Sequence, residues 1–128
     1  MTLDEYNTFC ASLPHTTMVV QWGGAHVWKI AGKVFAIGGW TKEGEPLGVT
    51  FKVSEIGFEV WKEEPGCRPA PYLASRGMKW IQRVSDETMD DDGLREALTE
   101  SHRLVSLNLT KKRQKELGLN QPNSTSNA

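Results

Sequence analysis

A chain of 128 residues is long enough to bury one hydrophobic core without disulfide or metal staples. Its 38% hydrophobic and 24% charged residues exclude an intrinsically disordered polymer, and no apolar run approaches the roughly 20 residues that span a bilayer. Fifteen basic against 16 acidic side chains give a net charge of -1, so no global charge draws the chain to nucleic acid.

Two cysteines, Cys10 and Cys67, are too few for a disulfide framework. The first residues, Met1-Thr2-Leu3-Asp4-Glu5, are acidic and lack the basic and apolar regions of a secretory signal. Both features point to the cytoplasm, and no membrane association is expected.

Thr2-Leu3-Asp4-Glu5 is a capping box, and Leu3, Tyr6, Phe9 and Cys10 recur at helical spacing, which predicts a helix from Thr2 to about Leu13, ended by Pro14. Short β-type runs follow. Thr16 to Trp22 places Met18, Val20 and Trp22 on one face, Gly23-Gly24 turns, and Val27 to Ile30 resumes. Ala31-Gly32 leads into Lys33 to Ile37, and a polar loop spans Thr41 to Pro46. Leu47 to Val53 then alternates, with Val49, Phe51 and Val53 inward and Thr50 and Lys52 outward. The short turns imply an antiparallel meander.

Ser54 is placed to cap a short helix carrying Ile56, Phe58 and Trp61. Pro65 to Pro71 reads as an extended, proline-punctuated loop. Met78 to Val84 reads as a strand with Met78, Trp80, Gln82 and Val84 on one face and Lys79, Ile81 and Arg83 on the other. A long amphipathic helix is predicted from Asp91 to Leu109, its amino end lined by Asp90 to Asp92, and Thr110 opens a last basic helix ending near Gly118. Residues 1–119 thus form one domain, and Asn120 to Ala128 reads as a disordered polar tail. The fold class is α+β, a small antiparallel sheet packed against N- and C-terminal helices.

The chemistry-bearing residues do not assemble into a known catalytic pattern. His15, His26, His102, Cys10 and Cys67 lack the paired spacing of zinc ligands, and helix capping accounts for Asp90 to Asp92, so no metal or cofactor is expected. His102, on the flank of the long helix, reads as a partly exposed structural histidine. Cys67 stands beside Arg68, yet no nucleophile elbow surrounds it, and an inert thiol is the simpler reading. Gly23-Gly24 and Gly38-Gly39 read as turns or bulges rather than phosphate cradles.

Binding residues are easier to find. Lys29, Lys33, Lys52, Lys79 and Arg83 lie in predicted strands, alternating with apolar neighbours, and several on one sheet face would track a phosphate backbone. The same pattern also describes a solvated face whose lysines blunt edge pairing. Of the five tryptophans, Trp22, Trp61 and Trp80 fall on apolar stripes and are expected in the core, whereas Trp28 and Trp40 lie near turns and are candidates for exposure.

Trp22-Gly23, Lys29-Ile30, Lys33-Val34-Phe35-Ala36, Val49-Thr50-Phe51-Lys52-Val53, Pro71-Tyr72-Leu73, Lys79-Trp80-Ile81 and Ser101-His102-Arg103-Leu104-Val105 come in an order and spacing that carry a family likeness. In these the chain resembles the MmcQ/YjbR family of small bacterial proteins, nearly throughout up to about Leu119. The resemblance implies a frataxin/CyaY-like fold, also described as a double wing, and DNA binding as the assigned role. His102 departs from it, standing where the family often has tyrosine. A frataxin-like iron ridge is not expected, because the first helix supplies only Asp4 and Glu5.

The leading functional expectation is therefore a non-catalytic module that binds duplex DNA through Lys33, Lys52, Arg76 and Lys79, supported by Lys29 and Arg83. The alternatives are a protein-interaction module using aromatics near Trp28, Trp40 and Tyr72, and a small-molecule or enzymatic domain around Cys67, Arg68 and Tyr72.

Overall fold

The computed structural model describes residues 1–41 and 44–122. The helices begin where side-chain chemistry starts them. At α1 (Leu3–Ser12) the Glu5 amide donates to the Thr2 hydroxyl at 3.1 Å, and the Thr2 amide donates to the Glu5 carboxylate at 2.9 Å. Ser54 caps α2 (Glu55–Trp61) by accepting from the Gly57 amide, Asp90 caps α3 (Asp91–Ser106) by accepting from Gly93, and Thr110 caps α4 (Lys111–Leu117) by accepting from Arg113. Each cap satisfies a donor that the first helical turn leaves without a partner.

Six strands form one sheet: β1 (Thr16–Gln21), β2 (Ala25–Ile30), β3 (Lys33–Gly38), β4 (Val49–Lys52), β5 (Cys67–Pro69) and β6 (Trp80–Arg83). Their order is β1-β2-β3-β4-β6-β5, every pair antiparallel. The fold is α+β with helices at both ends of the chain, as the pattern of elements implied. Ala31 and Gly32, with φ of 48° and 86°, make the two-residue turn that sets Ile30 opposite Lys33.

The main core lies between the sheet and the helices. Tyr6 and Cys10 of α1 meet Trp28, Ile30, Phe35, Phe51 and Ile81 of the sheet and Leu94, Leu98 and Val105 of α3. A register shift between β2 and β3 leaves Phe35 as the extra residue of a bulge. The displaced Phe35 carbonyl accepts from the Ser101 hydroxyl at 2.7 Å, and that hydroxyl accepts from the Lys52 amide at 2.8 Å. Ser101, fully buried, thereby ties two strands to α3. A smaller apolar cluster, Ala25, Val27 and Ile37 with Val34, Trp40 and Leu73 against it, lies on the opposite, outer face.

Several expectations need correction. The loop from Pro65 to Pro71 contains β5, an edge strand whose pairing with β6 no local periodicity announces. Thr50, expected outward, is fully buried, as is Ile81, because the central strands β4 and β6 are covered on both faces and carry no clean alternation. Of the apolar residues carried by α2, Phe58 and Trp61 pack against the core, whereas Ile56 is 79% exposed. α3 ends at Ser106 rather than Leu109, and the Gln114 side chain donates to the Leu109 carbonyl at 2.8 Å in the turn that follows. Asn120 bonds to Ser106 and Gln114 rather than opening a free tail, and residues 123–128 lie outside the described residues, as do Lys42 and Glu43 of the polar loop.

Candidate functional site

Strand direction sorts the candidate cations. β2 and β4 run one way and β3 and β6 the other, so Lys29, Lys33, Lys52 and Lys79 gather at one end of the sheet. Lys29 lies between the inward Trp28 and Ile30 and therefore faces outward; Lys52 follows inward Phe51 and faces outward too. Their strands are two apart, or about 10 Å at the usual strand spacing. Lys52 and Lys79 line one groove of about 380 Å³ with Val53, Ser54 and Met78. The Lys79 ammonium sits 4.9 Å from the centre of the Phe58 ring, an arrangement that holds the cation against the face of the aromatic ring. Lys33 and Arg76 are exposed, but Lys33 stands opposite the inward Ile30 and Lys79 opposite the inward Val53, so these two lysines lie on the helix side of the sheet rather than with Lys29 and Lys52.

Arg83 does not join them. It is only 4% exposed, on the helix side of the sheet, where its Nε donates to the Met89 carbonyl at 3.0 Å and its guanidinium meets the Asp91 carboxylate at 2.9 Å. A basic residue next to Val84 looked solvent-facing by alternation. Its real function is to anchor the segment that leads into α3. The amino terminus and Arg83 together hold the Asp91 carboxyl below its ordinary range.

At the other end of the outer face three aromatic rings assemble. Trp22 follows β1, Trp40 follows β3, and Tyr72 belongs to the loop between β5 and β6. The Trp22 and Trp40 ring centres are 5.3 Å apart, and Tyr72 stands edge-on to Trp40, also at 5.3 Å. Trp22 is 50% and Tyr72 71% exposed. With Leu73 and Arg76 these rings line a groove of about 360 Å³, and Trp40 and Tyr72 line a second with Thr41, Arg68 and Pro71. Trp22 and Trp28 have thus exchanged the places expected of them. Trp28 is buried because Asn7 of α1 accepts its indole N–H at 2.9 Å, a partner 21 residues away that no turn signal indicates.

The backbone beneath all three rings is strained. Trp22, Trp40 and Tyr72 have φ of 53°, 62° and 67°, the left-handed region that costs an L-residue about 1–2 kcal/mol. Such conformations persist only where surrounding bonds impose them. At Tyr72 the Leu73 amide donates across it to the Pro71 carbonyl at 2.8 Å, closing a tight γ-turn that the Ser75 hydroxyl braces from the Tyr72 carbonyl. At Trp40 the brace is Gln82, fully buried on β6. Its amide donates to the Gly39 and Trp40 carbonyls at 3.0 and 3.2 Å, and its oxygen accepts from Arg68 Nε at 2.8 Å. Gly48 leaves the room for it, since a methyl group there would lie 2.9 Å from the Gln82 amide nitrogen. Gln82 was hidden in the sequence by its place in the Trp80 stripe; a lone amide among apolar positions was the available signal.

The remaining candidates carry structural roles. Burial pushes the Cys67 thiol up, with Arg83 opposing weakly, so it is not activated. His102 is buried rather than partly exposed: its Nε2 donates to the Pro14 carbonyl at 2.8 Å, its ring packs edge-on to Phe35, and burial lowers its basicity. Among the described residues no three His, Cys, Asp or Glu side chains converge as metal ligands, and no helix is long and apolar enough to cross a membrane. A hollow of about 380 Å³ beside α1 is lined by Phe9, Asp4, Glu5 and Arg95, the last already paired with Asp92.

The molecule is thus defined as an α+β domain with a helix-covered inner face and an outer face that carries lysines at one end and propped aromatic rings at the other. A model of the YjbR family matches residues 11–104, and the chain belongs to the YjbR family. Among solved structures it is similar to the Deinococcus radiodurans protein DR2400, with its family-model domain DUF419, at 25% identity and a TM-score of 0.77, over 92% of this chain and 88% of that one. The search of curated proteins found no match.

Proposed function

We propose that this domain is a non-catalytic nucleic-acid-binding module whose contact surface is the outer face of the sheet. The observation that carries the reading is the Trp22–Trp40–Tyr72 cluster, in which exposed Trp22 and Tyr72 flank a half-buried Trp40, all three held in left-handed backbone beside Arg76. Exposed rings braced against strain are suited to stacking on a flat partner, and base stacking contributes about 1–3 kcal/mol per base without requiring a particular sequence. Lys29 and Lys52 at the far end of this face supply phosphate contacts, with Lys33 and Lys79 at the rim of the same sheet end on its helix side, and such contacts release counterions. Unpaired bases are the ligand this combination suits, because a paired duplex offers no base faces to the rings. Arg83 has no part in the contact.

Tryptophan fluorescence titrated with a single-stranded oligonucleotide tests this directly. Quenching that weakens steeply with salt is expected, as is about a tenfold loss of affinity in Trp40→Ala, from the loss of one stacked base. Charge reversal at Lys52 and Lys79 should lower the salt slope. Absence of salt-sensitive binding to single-stranded or duplex nucleic acid at low ionic strength sinks the reading. Full duplex binding by Trp40→Ala, with none to single strands, would instead confine the contact to the lysine end.

A further inference from the structure

The two edges of the sheet are built differently. β5 is only three residues long and carries Arg68 and Pro69, the second of which has no N–H to offer. A short strand with a charge and a proline is the usual way to keep an edge from pairing with another chain. β1 has none of these devices. It runs six residues in unbroken register against β2, from Thr16 opposite Ile30 to Gln21 opposite Ala25. No charged side chain or proline occurs from Thr16 to Gly24. Met18, Val19 and Val20 are 40%, 37% and 54% exposed, so apolar surface flanks this open edge on both faces.

We propose that β1 is a self-association edge that pairs antiparallel with β1 of a second copy about a two-fold axis at Val19. The residue pattern argues for a second copy rather than another partner. Thr17-Met18-Val19-Val20-Gln21 reads polar, three apolar, polar, and is its own complement when reversed about Val19. Met18 then faces Val20, Thr17 faces Gln21, and Val19 faces its own symmetry mate. Apolar cross-strand pairs stabilise a ladder, and an uncharged edge brings no like charges together when it meets itself.

Centring on a residue has a further consequence. Directly opposed residues share a face, so both copies keep their helices on the same side and the two six-stranded sheets continue into one. A slip by one residue would oppose Met18 with Val19 and throw the helix layers onto opposite sides. The reversal also sets the second copy's Trp22 beside this copy's Thr16. The aromatic end of one outer face then adjoins the lysine end of the other. Pairing along one short strand buries less than about 1,200 Å², the range of weak and reversible interfaces. The association does not depend on the nucleic-acid reading.

Sedimentation equilibrium on the full chain, from about 10 μM to about 1 mM, tests it across the range expected for an interface this small. A reversible monomer–dimer equilibrium is expected, abolished in Val20→Lys, whose folded state is checked by circular dichroism. Register is read by oxidation in a Cys67→Ser background: Val19→Cys should form a disulfide-linked dimer and Thr17→Cys should not, because its opposite number is Gln21. This pair of variants keeps the test open even if Val20→Lys fails to fold. A monomer at every concentration, a dimer indifferent to a folded Val20→Lys, or equal cross-linking of both cysteine variants overturns the proposal.

Discussion

The two faces of the sheet employ buried polar side chains to opposite ends. On the helix face, Arg83, Ser101 and His102 each reach a carbonyl left over by an irregular segment: Met89 before α3, Phe35 in the bulge, and Pro14 after α1. These bonds close the core. On the outer face, the buried Gln82 holds the Gly39 and Trp40 carbonyls and thereby fixes a strained aromatic at the surface. One face uses its polar groups for stability and the other for presentation. Mutations on the two faces should therefore separate stability from binding.

The largest effect is expected at Arg83. Arg83→Met keeps much of the apolar stem but strands the Met89 carbonyl and removes one of the two charged partners of Asp91, leaving the amino terminus. Losing one member of a buried charge pair costs about 3–5 kcal/mol, and the partial exposure of Asp91 places this case at or below the lower bound. Urea unfolding should show a midpoint shift of that size, while oligonucleotide affinity of the folded fraction stays at the wild-type level. A folded, stable Arg83→Met that has lost binding would return Arg83 to the contact surface and collapse the distinction between the faces.

Gln82 should give an intermediate and mixed result. Gln82→Leu removes two donor bonds to carbonyls and orphans Arg68 Nε, a cost of about 1–3 kcal/mol. Unlike Arg83→Met, it should also alter the Trp22–Trp40 fluorescence and weaken ligand binding, because Trp40 loses its brace. Unchanged fluorescence would show that the γ-turn at Tyr72 and the glycine turn at Gly39 hold the rings unaided.

Local chemistry was legible in the sequence. Thr2, Ser54, Asp90 and Thr110 each cap the helix they open, and the meander of β1 to β4 follows from turns such as Ala31-Gly32, since both features need only neighbouring residues. The candidate site was legible only in its parts. Lys29 and Lys52 were found by alternation, but Lys79 and Arg83 share the face of core Ile81 and were given to the wrong side, because a strand covered on both sides does not show which face is inner. Trp22 and Trp28 traded roles because burial depended on Asn7, far away in the chain, and β5 was missed because three residues make no pattern. The stacked cluster joins residues from three separate turns, and the left-handed backbone beneath it is a property of tertiary bonds rather than of the residue types Trp and Tyr.

The smallest stability effect is expected where the most exposed ring of the cluster stands. Tyr72→Asn removes a side chain that is 71% exposed and sits at a φ of 67°. Asparagine tolerates the left-handed region far better than tyrosine, so the change relieves about 1 kcal/mol of backbone strain. It forfeits the edge-on contact with Trp40, about 0.5–1.5 kcal/mol. The two terms nearly cancel, and Tm should move by no more than a few degrees, in contrast to the larger loss expected at Arg83. Binding has no such compensation: a stacking surface is lost, and affinity for single strands should fall. A strained aromatic that is nearly dispensable for the fold yet required for binding is the signature of a ring retained for its ligand. A Tyr72→Asn protein that unfolds several kcal/mol more easily would instead make Tyr72 a structural clamp over Leu73 and the outer apolar cluster.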